Sequence, residues 1–185
     1  MKNFYIHTMG CKANQFEGAV IAENLIKNGM EQVKDICAAD VFVLNSCTVT
    51  HKSDNEAFYH LRSAKNKNPG IVNVLTGCIA QVEREKLLEN DFIDYVLGND
   101  EKLNLFEYLG KSHVGELKDE FQKVFLTDTS KTRASLKIQD GCDNRCSYCI
   151  IPFARGKSRS ADAQFVTEQI NSFAGSGFKE VVLTG

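Results

Sequence analysis

Short apolar runs alternate with amphipathic stretches along residues 1–110 of the chain. Residues 41–44 are continuously apolar, which is typical of a strand buried on both faces of a parallel sheet. Hydrophobic periodicity predicts strands at 4–7, 40–45, 71–76 and 94–97, and helices at 16–28, 53–66, 80–89 and 100–109. This order predicts an α/β fold whose first domain is an open, doubly wound parallel sheet with right-handed crossovers.

The pattern changes after residue 110. Residues 111–133 are mostly polar and weakly periodic, although residues 121–126 include a short apolar group that predicts either a strand or a docking segment. A strand at 134–139, a helix at 163–173 with Asp162 as its N-cap, and a strand at 180–184 follow. We therefore predict a first domain over 1–110, a linker over 111–133 and the start of a second domain over 134–185.

Composition excludes several classes of protein. The chain has 185 residues, a formal net charge of −2 and ordinary apolar and charged fractions, so neither disorder nor a general attraction to nucleic acid is indicated. The N-terminus lacks the apolar core of a signal peptide, and no segment is long and apolar enough to span a membrane. The odd count of seven cysteines argues against a disulfide framework, which predicts a reducing, cytoplasmic location.

Three thiols within eight residues form the densest chemical motif of the chain. They are Cys142, Cys146 and Cys149, spaced C-x3-C-x2-C, and no fourth cysteine or histidine lies close enough in sequence to complete the set. Structural zinc and electron-transfer clusters use four protein ligands, so three ligands predict an iron–sulfur cluster with one open coordination position. A fragmentary zinc knuckle and three reduced bystander thiols are the alternatives.

A second trio of cysteines follows the predicted strands. Cys11, Cys47 and Cys78 each come just after the carboxyl end of a strand, and these ends meet at one edge of a parallel sheet. We therefore predict that the three thiols converge on a shared metal cluster. Cys37 precedes a strand and lies at the opposite end of the sheet, so we predict no function for it.

These two trios, with their flanking residues, resemble the radical S-adenosylmethionine tRNA methylthiotransferases. The resemblance covers essentially the whole chain, and the residues around Cys47 and the run 153–156 are most similar to the branch that acts on N6-threonylcarbamoyladenosine in tRNA. The segments that carry the match are 9–15, 45–50, 138–142 and 150–160. For residues 134–185 the resemblance implies the first units of a radical S-adenosylmethionine partial (βα) barrel, which is truncated here. We therefore expect the 185-residue chain alone to be inactive.

The resemblance implies two [4Fe–4S] clusters and S-adenosylmethionine as cofactors. The cluster on Cys142, Cys146 and Cys149 would bind and cleave S-adenosylmethionine, and the auxiliary cluster on Cys11, Cys47 and Cys78 would hold the sulfur delivered to carbon 2 of the adenine. The implied partners are a tRNA substrate and a reductant such as flavodoxin. No catalytic residue is implied beyond the cluster ligands.

Residues that flank the cysteines are secondary candidates. The resemblance places Tyr148 beside the adenine of the cofactor, although it could simply pack against the loop. The basic residues Arg155, Lys157 and Arg159 are possible contacts to tRNA phosphates. Asn14 and Asn45 are candidates for hydrogen bonds to cluster sulfur or for helix caps, and capping is the favoured interpretation for Asn14.

Other functions remain open at this point. Methylthiolation of a ribosomal protein or of isopentenyladenosine in tRNA would use the same residues. A non-enzymatic iron–sulfur protein, either an electron carrier or a redox sensor, is a further alternative. The three-ligand sites argue against it, because such proteins protect each iron with a full set of ligands.

Overall fold

A five-stranded parallel sheet forms the framework of the computed structural model, which describes residues 1–48, 51–127 and 133–185 and gives residues 51 and 52 by their backbone only. Its strands are β1 (Asn3–Thr8), β2 (Glu31–Gln32), β3 (Val41–Ser46), β4 (Val72–Gly77) and β5 (Tyr95–Leu97), in the order β2-β1-β3-β4-β5. The register pairs Thr8 with Asn45 and Ser46 with Gly77, so the carboxyl ends of β1, β3 and β4 are level. The predicted α/β class and parallel sheet are confirmed. The edge strand β2 was not predicted.

The helices of this first part agree with the predictions in position but not in every limit. They are α1 (Lys12–Lys27), α2 (His51–Lys67), α3 (Cys78–Val82) and α4 (Arg84–Leu88), with 3-10 helices at Ile36–Ala38 and Glu101–Tyr108. The single helix predicted for 80–89 is wrong, because Glu83 leaves the helical conformation and separates α3 from α4. The helix predicted for 100–109 is also wrong. That segment is a 3-10 helix interrupted by the non-helical backbone of Asn104.

Apolar side chains cover the sheet on both faces. Along β3, Phe42 and Leu44 point to one core and Val41 and Val43 to the other, as the alternation of a strand requires. Helices α2, α3 and α4 pack on the first face, and α1 with the segment around Leu105 packs on the second. The sheet is therefore doubly wound, as predicted.

The second part of the chain begins with a parallel strand pair. Strand β6 (Ala134–Lys137) pairs with β9 (Val181–Thr184), and β7 (Gln139–Asp140) pairs with β8 (Arg159–Ser160) in a separate short antiparallel sheet. Helices α5 (Ile151–Arg155) and α6 (Ala163–Gly175) complete this second part. The Asp162 carboxylate accepts a hydrogen bond from the Phe165 amide, as predicted for the N-cap of α6. The pairing of β7 with β8 and the helix α5 were not predicted. The strand predicted for 134–139 is shorter than expected, because β6 ends at Lys137 and Ile138 separates it from β7.

One apolar core joins the two parts. Phe16 and Val20 of α1 lie in the same cluster as Leu136 of β6 and Phe173 of α6. Leu126 is buried in this core, and its backbone exchanges two hydrogen bonds of 2.9 Å with the side chain of Gln169. Residues 121–126 are therefore a docking segment rather than a strand, which decides between the two predictions.

The domain limits 1–110, 111–133 and 134–185 stay a prediction, as does the assignment of residues 134–185 to the first units of a partial (βα) barrel. Parts of two predicted segments lie outside the described residues. They are residues 128–132 of the predicted linker, and residues 49 and 50 of the segment 45–50 that carries part of the family resemblance. None of the helices in the described part of the chain combines the length and the apolar character that crossing a bilayer requires.

Candidate functional site

The structure places Cys11, Cys47 and Cys78 at one edge of the sheet. Cys11 occupies the N-cap position of α1, Cys47 directly follows β3, and Cys78 is the first residue of α3. The Met9 amide donates to the Asn45 carbonyl at 2.9 Å, which ties the loop before Cys11 to the end of β3. Cys11 is exposed, whereas Cys47 and Cys78 are buried. Solvent therefore reaches this trio at Cys11.

Gly10 allows the first two loops of this edge to approach closely. Its φ is +85°, and a Cβ built on it would lie 2.5 Å from the Cβ and 2.6 Å from the Sγ of Cys47. Such distances are too short for any side chain, and the left-handed conformation favours glycine as well. The position of Cys47 relative to Cys11 therefore depends on the absence of a side chain at Gly10.

Gly10→Ala is expected to destabilise the chain by about 3 kcal/mol, from about 1 kcal/mol of left-handed backbone cost and about 2 kcal/mol of overpacking against Cys47. Gly29→Ala is the matched control, because its φ is +86° and nothing lies within 4 Å of a Cβ there. Urea unfolding of both variants measures the difference. Equal losses in the two variants would contradict the close-approach role of Gly10.

Asn14 and Asn45 fasten the same loops from inside. The Asn14 side-chain amide donates to the carbonyls of Met9 at 3.0 Å and Ser46 at 2.7 Å, and the Asn45 amide donates to the Asn14 carbonyl at 3.0 Å. Both side chains are fully buried. Asn14 does not cap α1, so the favoured capping interpretation is wrong. Its amide is instead used to connect the backbone on either side of Cys11 with the backbone before Cys47.

The other trio lies on the loop between β7 and α5. Cys142 is anchored by its amide, which donates to the Gly156 carbonyl at 3.0 Å, and the Cys149 amide donates to the Cys146 carbonyl at 2.9 Å. Arg145 has a left-handed backbone with φ of 41°, which turns the chain between Cys142 and Cys146. Cys146 is exposed and the other two thiols are half-buried. The loop therefore exposes Cys146 and partly covers Cys142 and Cys149.

A cavity of about 550 Å³ receives residues from both trios. Cys11 of the first trio and Cys142 and Cys149 of the second are among its lining residues. Its remaining wall comes from β7, the ends of α5 and β9, and neighbouring residues, among them Asp140, Arg155 and Leu183. The cavity brings the two sequence-predicted sites, more than a hundred residues apart in the chain, to a common space.

The secondary candidates have different environments from those predicted. Tyr148 is 91% exposed, so it does not pack against its loop. Arg155 and Arg159 are only 4% and 6% exposed, and their buried guanidinium groups face carboxylates, so the prediction of RNA contacts is corrected for both. Lys157 is exposed. Cys37 lies before β3, away from the trio as predicted, but it is exposed rather than a buried apolar residue.

A buried charge network lies beneath the cavity, and sequence reasoning missed it. At its centre the Glu17 carboxylate, 1% exposed, accepts from Lys102 and Lys137 at 2.6 Å each and from both terminal nitrogens of Arg155 at 2.9 Å. Asp140 accepts from Lys137 and Arg155 at 2.8 Å. We call the five residues Glu17, Lys102, Lys137, Asp140 and Arg155 the buried charge network. A signal existed, because Glu17 lies four residues from both Ala13 and Ile21, on the buried face of α1.

The network keeps Glu17 ionised. Burial alone would raise the pKa of Glu17, but the charges of Arg155, Lys102 and Lys137 hold that pKa well below its ordinary value. Burial would likewise lower the pKa of Lys137, and the charges of Glu17 and Asp140 raise it instead. The charged forms of Glu17 and Lys137 are therefore favoured, whereas burial lowers the pKa of Lys102 although the charge of Glu17 acts against that shift. The network joins α1, the 3-10 helix Glu101–Tyr108, β6 and α5.

The donor atoms of both trios are cysteine sulfurs. Among the residues that the structure describes, no three or more histidine, cysteine, aspartate or glutamate side chains are arranged to hold a metal ion. None of the seven thiols, all within the described ranges, is part of a disulfide. A four-iron cluster binds each thiolate through a different iron, so its ligands stand farther apart than those of one ion. Three reduced cysteines at the sheet edge match the donor type of such a cluster.

Comparison with known proteins gives a family match over the first part of the chain. Residues 3–98, which include Cys11, Cys47 and Cys78, match the family described as "Uncharacterized protein family UPF0004". The match ends just after β5, so it covers the whole of the five-stranded sheet.

Similar curated proteins extend over nearly the whole chain. A threonylcarbamoyladenosine tRNA methylthiotransferase from Aquifex aeolicus is 40% identical over 96% of this chain and 46% of its own length. The Bacillus subtilis protein of that name is 35% identical over 100% of this chain and 44% of its own length. A tRNA-2-methylthio-N(6)-dimethylallyladenosine synthase from Thermotoga petrophila is 34% identical over 98% and 43%. The chain thus spans a little under half the length of these relatives.

These matches decide the kinship of the protein. The resemblance to the threonylcarbamoyladenosine branch of the tRNA methylthiotransferases is confirmed by relatives that bear that name. Because the family match covers more than half of the chain, including the entire sheet edge with its cysteine trio, the protein belongs to the family UPF0004.

Proposed function

We propose that this chain carries the two iron–sulfur sites of an enzyme that methylthiolates carbon 2 of N6-threonylcarbamoyladenosine in tRNA. The observation that carries the proposal is the cavity that Cys11 shares with Cys142 and Cys149. A sulfur-transferring enzyme needs its sulfur site and its activating site open to the same substrate atom, and a cavity lined by cysteines of both trios supports that arrangement. The names of the relatives support tRNA as the substrate.

In this proposal Cys142, Cys146 and Cys149 bind the cluster that chelates S-adenosylmethionine, and Cys11, Cys47 and Cys78 bind the auxiliary cluster. When bound, these groups supply radical activation of an unactivated aromatic C–H bond and the sulfur that replaces its hydrogen. General acid–base catalysis alone is unsuited to such a bond, because its hydrogen is not acidic.

The contribution of the protein is to hold the two thiol sets and to shape the space between them. Cys11 lines the cavity from the N-terminus of α1, and the loop that carries Cys142 and Cys149 exposes Cys146 to solvent. Apolar side chains of the wall, Ile138, Ile151 and Leu183, exclude water from part of that space. Exposed Tyr148 is available to stack on the adenine of the cofactor, and exposed Lys157 to meet a tRNA phosphate.

The proposal includes a cytoplasmic location, where tRNA and a one-electron reductant such as flavodoxin are available. No chemical role is proposed for Cys37, which is exposed at the opposite end of the sheet. It therefore provides a matched control for every cysteine substitution.

Analysis of tRNA nucleosides tests the proposed substrate. Deletion of the gene is expected to abolish 2-methylthio-N6-threonylcarbamoyladenosine in bulk tRNA and to leave the unmethylthiolated nucleoside in its place, as measured by liquid chromatography and mass spectrometry. The intact gene, or one with Cys37→Ala, restores the product, whereas Cys142→Ala does not.

Different losses would point to different enzymes. Loss of the dimethylallyl nucleoside instead would identify the activity of the Thermotoga petrophila relative. An unchanged nucleoside profile, with S-adenosylmethionine failing to bind the product of the complete reading frame, would contradict the enzyme and favour an electron carrier or sensor.

A further inference from the structure

Arg155 contacts residues next to both cysteine trios. These residues lie in the start of α1 after Cys11 and in the segment before Cys142, which we call the two thiol-bearing edges. Its two terminal nitrogens donate to the two oxygens of Glu17 at 2.9 Å, and one of them donates to the Asn14 side-chain oxygen at 2.7 Å. Asn14 and Glu17 lie in the first turns of α1, directly after Cys11. The other nitrogen also donates to Asp140 at 2.8 Å, and Asp140 precedes Cys142 by two residues. A single planar side chain thus spans the two edges.

The position of Arg155 is fixed independently of these ion pairs. It is the last residue of α5, whose neighbour Ala154 accepts a 2.6 Å hydrogen bond from the buried Asn99 side chain. Helix α5 packs against α3, the helix that begins at Cys78. Arg155 also lines the cavity that Cys11, Cys142 and Cys149 share. A flexible surface arginine would have none of these constraints.

The buried charge network contains more basic than acidic side chains. Three cations, Lys102, Lys137 and Arg155, face two carboxylates, Glu17 and Asp140. Burial alone would lower the pKa of Arg155, and the charge and hydrogen bonds of Glu17, together with the charge of Asp140, raise it well above its ordinary value. The network thus holds one more basic than acidic side chain, and its Arg155 lies on α5, which packs against the helix that begins at Cys78.

The geometry points to Arg155 as a positioning residue that holds the two thiol-bearing edges in register and provides its positive charge to the auxiliary site. The inference rests on the proposed function, because a second site matters only if both sites act on one substrate. A bidentate guanidinium suits this role because its planar fork fixes direction as well as distance. A lysine at this position would keep the charge but lose the fork.

Three variants separate charge from geometry in the iron-reconstituted chain. The reduction potential of the auxiliary cluster, measured by redox titration with electron paramagnetic resonance, is expected to become more negative in Arg155→Gln, because a nearby cation favours the reduced cluster. Glu17→Gln is expected to shift it in the opposite direction. Arg155→Lys is expected to leave it nearly unchanged. A purely structural role predicts no such opposite signs.

The product of the complete reading frame then tests positioning. In Arg155→Lys, formation of methylthiolated tRNA is expected to fall by about tenfold to a hundredfold, while S-adenosylmethionine cleavage continues, because a displaced site loses reaction geometry and not activation. Arg133→Gln, which removes an exposed arginine paired with Glu180, is the matched control and is expected to behave like the unaltered protein. Parallel loss of cleavage and transfer in Arg155→Lys would contradict the inference.

Two further measurements keep the inference testable if a variant folds poorly or if no cluster binds. Lys102→Gln removes a cation of the same network without touching Asp140, and it is expected to shift the potential in the same direction as Arg155→Gln. In the metal-free chain, amide hydrogen exchange is expected to increase in Arg155→Gln at both residues 11–15 and 140–142. An increase at one edge alone would overturn the inference, whereas absence of iron from the unaltered chain would overturn only the proposed function.

Discussion

Replacement of Cys11, Cys47 and Cys78 together by alanine is expected to reduce the iron content of the reconstituted chain from about eight atoms to about four, because a [4Fe–4S] cluster is held by its thiolates and each trio would hold one. In the product of the complete reading frame, methylthiolated tRNA is expected to fall below detection while cleavage of S-adenosylmethionine continues. Iron analysis, acid-labile sulfide analysis and nucleoside mass spectrometry measure these effects.

The reciprocal triple variant and a single control complete this experiment. Alanine at Cys142, Cys146 and Cys149 is expected to remove the other half of the iron together with the binding of S-adenosylmethionine. Cys37→Ala removes an exposed thiol before β3 and is expected to leave iron and activity unchanged. Unchanged iron in the Cys11, Cys47 and Cys78 variant, or an equal loss in Cys37→Ala, would refute the auxiliary site.

Glu17→Gln is expected to lower the free energy of unfolding by about 3–5 kcal/mol, which is the usual cost of removing one partner from a buried ion pair. The substitution leaves Lys102, Lys137 and Arg155 with one carboxylate among them, since only Asp140 remains in the network. Urea unfolding of the chain measures the loss. Glu89→Gln, at an exposed position after α4, is the matched control and is expected to stay within about 0.5 kcal/mol of the unaltered chain.

The pH dependence of stability provides a second measurement of the same carboxylate. The pKa of Glu17 in the folded chain lies well below its ordinary value of 4.5, so the folded state binds this proton less readily than the unfolded state. Its stabilising contribution is therefore fully present above about pH 4.5 and is lost as the pH falls toward the folded pKa. Glu17→Gln is expected to flatten this part of the profile, and an unchanged slope would contradict the role of the network.

The sheet was predictable because local pattern and tertiary position agree along it. The apolar run Val41–Leu44 needs cover on both faces, and a parallel sheet between two layers of helices is the arrangement that provides it. The limits of the weaker helices were not predictable. The non-helical backbone at Glu83 and Asn104 carries no glycine or proline signal, so hydrophobic periodicity ran across both breaks.

The thiol trio on the sheet was predictable for a related reason. A residue that follows a parallel strand lies at the edge where all such strands end, so sequence position alone placed Cys11, Cys47 and Cys78 together. The roles of their neighbours were not predictable in this way. Asparagine is a common helix cap, but the Asn14 side-chain amide meets the carbonyls of Met9 and Ser46 only once β1 and β3 are paired, and its oxygen accepts from Arg155.

The amino-acid sequence by itself determined the class of fold, the edge at which the first thiol trio lies and the kinship with the methylthiotransferases, because each depends on spacing along one element or motif. Only the tertiary structure decided that Glu17, Lys102, Lys137 and Arg155 are a buried core and not a charged surface. A charge can be buried only when opposite charges from distant segments surround it. That condition is a property of the packed chain, and no local pattern contains it.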